Sequence, residues 1–383
     1  MKKFLLCLLL ALTLLLTALP VTAAPPAFGG TVDAESVLLM EANTGTVLFE
    51  KNADKALPPA SVTKVMTMLL VMEAIDSGKL ALTDIVTASE YATSMGGSQV
   101  FLKAGETMTV LDMLKSVVIA SANDCAVALA EHIAGSEEAF VAAMNARAAE
   151  LGMQNTHFEN TNGLDDTTTN HVTSARDIAI MSRELICKHP YILELSSIWM
   201  DTIRDGAFGL TNTNRLIRFY PGANGLKTGS TSRAKFCISA SAKRGDTQLI
   251  AVIMAAPTRD ARNELAKRLF DYGFANFTYQ KWESNTLPSL PVRGGKEETC
   301  TLVTTAAEAL LEKGTAAGVT VQSELPETLT APIRAGDVVG KVRYMVGDNV
   351  VAEADVLAGM DVARIGYFDL ARRLFSSFFL SNG

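Results

Sequence analysis

Apolar positions change their rhythm several times along this chain, and each change marks an element. Residues 4–19 are almost wholly apolar, follow Lys2-Lys3 and lead to Val21-Thr22-Ala23. A basic start, a short apolar core and small residues at its end predict a cleaved secretory signal peptide over 1–23. The apolar run is short for a membrane span, which needs about 20 residues. Residues 36–47 read as two strands across an Asn43-Thr44-Gly45 turn. The run 65–72 predicts a buried helix, and a longer, mostly apolar helical stretch covers 110–134. That stretch is broken at Ser121-Ala122-Asn123-Asp124, residue types that favour caps and turns. An amphipathic helix is expected over 137–151, then a polar loop over 155–170, then a helix opened by a capping Ser or Thr near Ser174. Two antiparallel strands are expected over 236–242 and 248–254, with a helix over 263–272. Helices flanking a mostly antiparallel sheet make an α+β architecture.

After residue 276 the rhythm becomes that of short strands. Residues 284–361 are rich in Val, Thr and Gly, with alternations such as Thr299-Cys300-Thr301-Leu302-Val303. This predicts a small β-rich domain, and no chemistry is visible in it. From 367 to 379 the helical period puts Tyr367, Phe368, Leu370, Ala371, Leu374, Phe375, Phe378 and Phe379 on one half of the wheel. Asp369, Arg372, Arg373, Ser376 and Ser377 fill the other. The stretch is too short and too charged to span a bilayer, so it is expected to lie in the interface with its arginines toward lipid headgroups. The alternative is a helix docked on the β-rich domain. The division expected is therefore a signal peptide (1–23), a main domain (24–276), a β-rich domain (284–361) and an amphipathic membrane-anchor helix (362–383).

Composition narrows the class. Hydrophobic residues make up 48% and charged residues 20%, as in a globular protein. The net charge of −7 argues against a general nucleic-acid binder, and removal of Lys2 and Lys3 makes it more negative. Cys7 would leave with the signal segment. The remaining Cys125, Cys187, Cys237 and Cys300 are sparse for an exported chain, and buried thiols are expected. No C-x-x-C or His-rich spacing suggests a metal, and no cofactor is expected.

Three short stretches carry candidate chemistry: Ser61-Val62-Thr63-Lys64, Ser121-Ala122-Asn123 and Lys227-Thr228-Gly229. A Ser and a Lys three residues apart on a helix share one face, which sets an amine beside a hydroxyl. Serine is a poor nucleophile until a base takes its proton. Lysine can be that base only where burial or a second cation lowers its pKa. The other two stretches can supply that cation, a relaying hydroxyl and an amide. A second S-x-x-K, Ser232 to Lys235, is read as chance on a strand. His157 and His171 have no acid partner at motif spacing and are expected to tether the 155–170 loop by hydrogen bonds. No G-x-S-x-G elbow occurs and no Ser-His-Asp set suggests itself, which favours the lysine mechanism.

With Pro59-Ala60 before the first stretch, Asp124 after the second and Gly225-Leu226 before the third, the ordered trio resembles the penicillin-recognising serine enzymes. It looks most like the low-molecular-mass penicillin-binding proteins, the serine-type D-Ala-D-Ala carboxypeptidases of peptidase family S11. The resemblance covers nearly the whole chain. It implies a penicillin-binding-protein/β-lactamase-like catalytic domain with a five-stranded sheet between helices, then a small β-rich domain and an amphipathic membrane anchor. It also implies a reaction in which Ser61 attacks the carbonyl of the penultimate D-alanine of a peptidoglycan stem pentapeptide. Terminal D-alanine leaves and water releases the shortened peptide.

In that mechanism Lys64 is the general base, kept neutral by Lys227 and by desolvation. Ser121 relays the proton to the leaving amine, and Asn123 holds the peptide amide or the Lys64 amine. Lys227 and Thr228 bind the terminal carboxylate, and Gly229 keeps the strand clear for the substrate. The backbone N–H groups of Ser61 and Ser230 form the oxyanion hole. The implied partners are peptidoglycan stem peptides, β-lactam antibiotics and a membrane surface, with the protein exported to the outer face of the cytoplasmic membrane.

Two positions depart from the pattern. Ala234-Lys235 stands where close relatives often carry Ala-Gly, so a charge is expected on or beside the strand next to the cleft. Ser230 stands where some relatives have histidine. Three other readings remain. Glu159, Asp165 and Asp166 in the 155–170 loop leave room for the deacylating acid of a β-lactamase. A DD-endopeptidase or transpeptidase would act on cross-links. An inactive wall-binding scaffold would keep the fold without covalent penicillin labelling.

Overall fold

The computed structural model describes residues 27–371, so the expected signal peptide and most of the amphipathic tail lie outside the described residues. The described chain forms two compact units, Phe28–Tyr279 and a second that starts at Gln280.

The first unit is built on an antiparallel sheet of five strands: β1 (Ser36–Glu41), β2 (Val47–Lys51), β3 (Ala223–Thr231), β4 (Lys235–Arg244) and β5 (Thr247–Ala256). Their order is β2-β1-β5-β4-β3, which leaves β3 at one edge. Side chains alternate across a strand. Leu38, Met40, Ile250, Val252 and Met254 therefore enter one core, while Val37, Leu39, Leu249, Ala251 and Ile253 enter the other. Apolar residues on both faces give the unbroken runs seen in sequence, the pattern of a fully covered strand.

The longer helices of the first core are α1 (Lys64–Asp76), α2 (Asn123–Ala134), α3 (Glu137–Glu150) and α4 (Ala175–Lys188). The second core is closed by α5 (Arg259–Asn276). Capping oxygens start these elements, the one at Ser174 as expected. Ser174 Oγ accepts the Asp177 N–H at 3.1 Å, Ser136 Oγ that of Ala139 at 3.2 Å, and Thr258 Oγ1 that of Ala261 at 3.0 Å.

The stretch 110–134 is interrupted where its sequence changes. A short helix, Val110–Lys115, widens into one π turn, Ser116–Ala120, and Ser121 is left-handed (φ 65°) before α2 resumes. Helix α5 begins four residues earlier than the pattern 263–272 indicated, because Thr258 caps it.

The second unit holds a six-stranded sheet. Its spatial order is Val319–Glu324, Val338–Val346, Asn349–Ala358, Thr299–Thr304, Thr286–Arg293 and Leu329–Thr330. Cys300, Leu302, Val342 and Val356 lie at its core, and Trp282 stacks on Tyr344 at 4.1 Å. No described helix is long and apolar enough to cross a membrane.

All four described cysteines are free thiols. Cys125, Cys237 and Cys300 are buried as expected, but Cys187 is exposed. It falls in the last turn of α4, where its Sγ donates to Ala42 O.

Candidate active site

Ser61 sits in a tight 3₁₀ turn, Ala60–Thr63, that runs directly into α1 at Lys64. The shared face inferred for Ser61 and Lys64 is thus made by a turn feeding a helix. It still sets Lys64 Nζ 3.2 Å from Ser61 Oγ. The Lys64 side chain has no solvent exposure. Its amine also meets two acceptors, Asn123 Oδ1 at 2.5 Å and Asn162 O at 2.8 Å. A neutral amine has two protons and one lone pair. In its neutral form, with both protons given to those oxygens, the amine would turn its lone pair to the Ser61 hydroxyl. Burial holds the Lys64 pKa well below the usual lysine value, the Lys227 charge lowers it further, and Asp124 opposes both.

The interrupted helix places the second stretch. Ser121 is almost buried in its left-handed position, and Asn123 opens α2. The Asn123 side-chain amide donates to Gly96 O at 2.7 Å while its oxygen accepts a hydrogen bond from Lys64 Nζ. The Asn123 backbone N–H donates to Ser98 O at 2.7 Å. Asp124, fully buried, accepts the N–H groups of Leu102 and Cys125 at 3.1 and 2.9 Å and that of Val100 at 3.2 Å. One carboxylate thus fixes the 98–102 strip against α2.

Strand β3 supplies the third stretch. Lys227 is 1% exposed and donates to Thr228 O at 2.9 Å. Burial first, and the Arg262 charge second, push its pKa down to about 7. Thr228 Oγ1 donates to Thr213 Oγ1 at 2.9 Å. At Gly229 a Cβ would stand 2.8 Å from Pro59 O, 2.8 Å from Ser61 N and 2.9 Å from Val62 N. The missing side chain therefore clears room for the turn that carries Ser61.

A cleft of about 190 Å³ opens between these elements. Of the residues singled out in sequence, Ser61, Ser121, Thr228, Gly229 and Ser230 line it. Lys64, Asn123 and Lys227 lie behind that lining, within the hydrogen-bonded and electrostatic network described above. Ser98, Thr213, Arg259 and Arg262 also line it and were not anticipated. Arg262 is 2% exposed, and its guanidinium bonds Cys237 O and Asn263 Oδ1, neither of them an anion. Burial, then the Arg259 charge, lower its pKa to about 10. No local signal marked it: Arg262 is the fourth residue of α5, whose first turn carries the usual acid, Asp260.

The 155–170 loop contributes structure rather than acid. Glu159 accepts the N–H groups of Thr169 and Asn170, and Asp165 accepts the Thr231 hydroxyl at 2.5 Å. No carboxylate is among the described residues lining the cleft. His157 and His171 act as the expected tethers: His157 Nδ1 meets Asn170 O at 3.1 Å, and His171 Nε2 meets Thr63 Oγ1 at 2.7 Å. Lys235 is left-handed and exposed at the start of β4 and does not line the cleft.

Comparison with known proteins agrees with this geometry. A family model described as D-alanyl-D-alanine carboxypeptidase, peptidase S11, matches residues 20–258. A second, the C-terminal domain of penicillin-binding protein 5, matches residues 282–364. D-alanyl-D-alanine carboxypeptidase DacF of Bacillus subtilis is 42% identical over 377 residues, covering 94% of this chain and 96% of that protein. DacC of Escherichia coli is 34% identical and covers 90% of each. Penicillin-binding protein 5 of Haemophilus influenzae superposes with a TM-score of 0.76 at 33% identity, covering 88% of this chain and 99% of that one. Penicillin-binding protein D2 of Listeria monocytogenes, in its ampicillin-bound form, gives 0.59 at 31% identity, covering 64% of this chain and 99% of that one. With its Ser61 turn, buried lysine and glycine-cleared edge strand, the chain belongs to the S11 family of serine D-alanyl-D-alanine carboxypeptidases, the low-molecular-mass penicillin-binding proteins.

Proposed function

We propose that this carboxypeptidase of the penicillin-binding class removes the terminal D-alanine of peptidoglycan stem pentapeptides through an ester on Ser61. The observation that carries the reading is the Lys64 amine, buried, donating to Asn123 and Asn162 and facing Ser61 Oγ at 3.2 Å. Lys64 takes the hydroxyl proton as Oγ attacks the penultimate D-alanine carbonyl. The carbonyl oxygen gains charge and is held by the Ser61 and Ser230 N–H groups, each such donor being worth roughly 2.7–4 kcal/mol in the transition state. Ser121 passes the proton to the departing amine, and free D-alanine leaves. Water then attacks the ester, giving its proton back along the same route, and Ser61 is regenerated.

The terminal carboxylate is assigned to Thr228 and the buried Arg262, with Arg259 at the same cleft and Lys227 adding positive potential from behind. A buried cation without an anionic partner favours a chain end over an internal peptide. β-Lactams would acylate the same hydroxyl, a reading supported by the ampicillin-bound form of the Listeria relative. We place the enzyme outside the cytoplasmic membrane, delivered by residues 1–23 and held at the surface by the amphipathic tail. The pattern of the tail and the exposure of Tyr367 and Phe368 support this.

The test is D-alanine release from a synthetic peptide ending in D-Ala-D-Ala, comparing the mature protein with Ser61→Ala. Release by the wild type alone is expected. Penicillin labelling at Ser61 without release would shift the assignment to cross-links, and neither release nor labelling would remove it.

A further inference from the structure

One directed chain of hydrogen bonds joins the 155–171 segment to the turn that carries Ser61. The Glu159 N–H donates to His171 Nδ1 at 2.9 Å, so that nitrogen carries no proton. Thr63 Oγ1 donates its one proton to Ala60 O at 2.8 Å. Its lone pairs, not its proton, therefore face His171 Nε2 at 2.7 Å. Only a neutral ring protonated at Nε2 satisfies both ends. His171 is 4% exposed, and burial pushes its pKa down to about 4, which keeps the ring neutral. Thr63, His171 and Glu159 are not among the residues lining the cleft.

The chain ends on the Ala60 carbonyl. A peptide unit is planar, with its C=O and N–H pointing in opposite directions. Fixing Ala60 O on Thr63 therefore fixes the direction of the Ser61 N–H on the other side of the same plane. On that side lies β3, close enough that a Cβ on Gly229 would come within 2.8 Å of Ser61 N. Ala60 itself is left-handed (φ 50°), a conformation that residues with a Cβ keep only when their surroundings hold them there. A second contact backs the same carbonyl. The Gly163 α-carbon abuts it so tightly that a Cβ there would fall 1.9 Å from Ala60 O.

We propose that Thr63 and His171 are positioning residues that lock the Ala60–Ser61 peptide plane and so aim the Ser61 N–H at the oxyanion. The inference rests on the assignment of that N–H to the oxyanion hole. It gives His171 a role in the reaction beyond holding a loop, and it links the 159–171 segment to transition-state binding without any contact to substrate.

The test uses Thr63→Val, which keeps the shape and removes the hydroxyl, His171→Phe, and Thr63→Ser, which restores the hydroxyl. Three quantities are read on the full mature chain: kcat and KM for a D-Ala-D-Ala peptide, and the affinity of a peptidyl boronic acid. The boronic acid accepts Ser61 Oγ into a tetrahedral adduct whose boron-bound oxygen occupies the oxyanion position. Thr63→Val and His171→Phe are expected to lose roughly 10- to 100-fold in kcat and in boronate affinity, with KM within about twofold of wild type. Thr63→Ser should recover most of both. Unchanged kcat and boronate affinity in folded Thr63→Val would overturn the inference, as would a loss that Thr63→Ser repeats in full. If His171→Phe does not fold, the Thr63 pair decides alone. A wild type that neither releases D-alanine nor binds the boronate removes the carboxypeptidase assignment itself, and this inference with it.

Discussion

Replacing Gly229 by alanine adds a single methyl at a crowded point of the site. The new Cβ would meet Pro59 O, Ser61 N and Val62 N at 2.8, 2.8 and 2.9 Å, where ordinary contact begins near 3.4 Å. Something must move by about half an ångström. The turn cannot easily recede, because Gly163 already packs against Ala60 O and Thr63 anchors the same oxygen. Strand β3 cannot easily withdraw either, since Gly229 is paired with Cys237 of β4. The φ of Gly229 is not in the left-handed region, so alanine brings crowding without backbone strain.

Overpacking of this kind costs about 1–3 kcal/mol of stability. The effect on rate is larger in kind, because the displaced atoms include the Ser61 N–H. A misplacement of about 1 Å can cost 10²-fold, and loss of one oxyanion donor about 10²- to 10³-fold. Gly229→Ala should therefore slow acylation by a fluorescent penicillin roughly 10- to 100-fold while the protein still melts cooperatively. Acylation within twofold of wild type, at an unchanged melting temperature, would refute the reasoning.

Three further outcomes are expected. Arg262→Gln should raise KM for peptides ending in a free carboxylate about 10- to 100-fold, the range of one charge-assisted hydrogen bond, and discriminate far less against the terminal carboxamide; equal effects on both peptides would remove Arg262 from carboxylate binding. Lys227→Met and Asp124→Asn should move the acid limb of kcat/KM in opposite directions. As the proposed base, Lys64 would act only when neutral, above its own pKa. Losing the Lys227 charge raises that pKa and shifts the limb upward, while losing the Asp124 charge lowers it and shifts the limb downward. The contrast is read below pH 7, where wild-type Lys227 is mostly charged, and shifts of the same sign would contradict the network. Finally, a maleimide applied to the folded mature protein should label Cys187, and Cys187→Ser should abolish the signal. Labelling of Cys125, Cys237 or Cys300 before unfolding would show that those cores open.

The three stretches that meet at the cleft could be read because each is short, contiguous and bound by local spacing. Ser61 and Lys64 meet whether the turn is α or 3₁₀, and the break at Ser121-Ala122-Asn123 announced itself by residues poor in helix interiors. The five strands and the capped helices could be read for the same reason, from period and punctuation. Arg262 could not. It reaches the cleft from α5, which packs on the far face of the sheet, and no local spacing relates it to Ser61. The exposure of Cys187 was also invisible, since it depends on which side of the helix faces solvent.

By itself, then, the sequence determined the alternation of elements, the caps, the order of the three stretches and the residue types able to run a lysine-assisted acyl transfer. Those are properties of neighbours along the chain. The tertiary structure decided the rest. It left the buried Lys64 amine beside the Ser61 hydroxyl, made Gly229 a clearance for the turn that carries Ser61, set a guanidinium without an ion pair at the cleft and tied Ala60 O to His171 through Thr63. Each of these depends on burial and on distances between segments far apart in sequence, and folding alone brings such segments together.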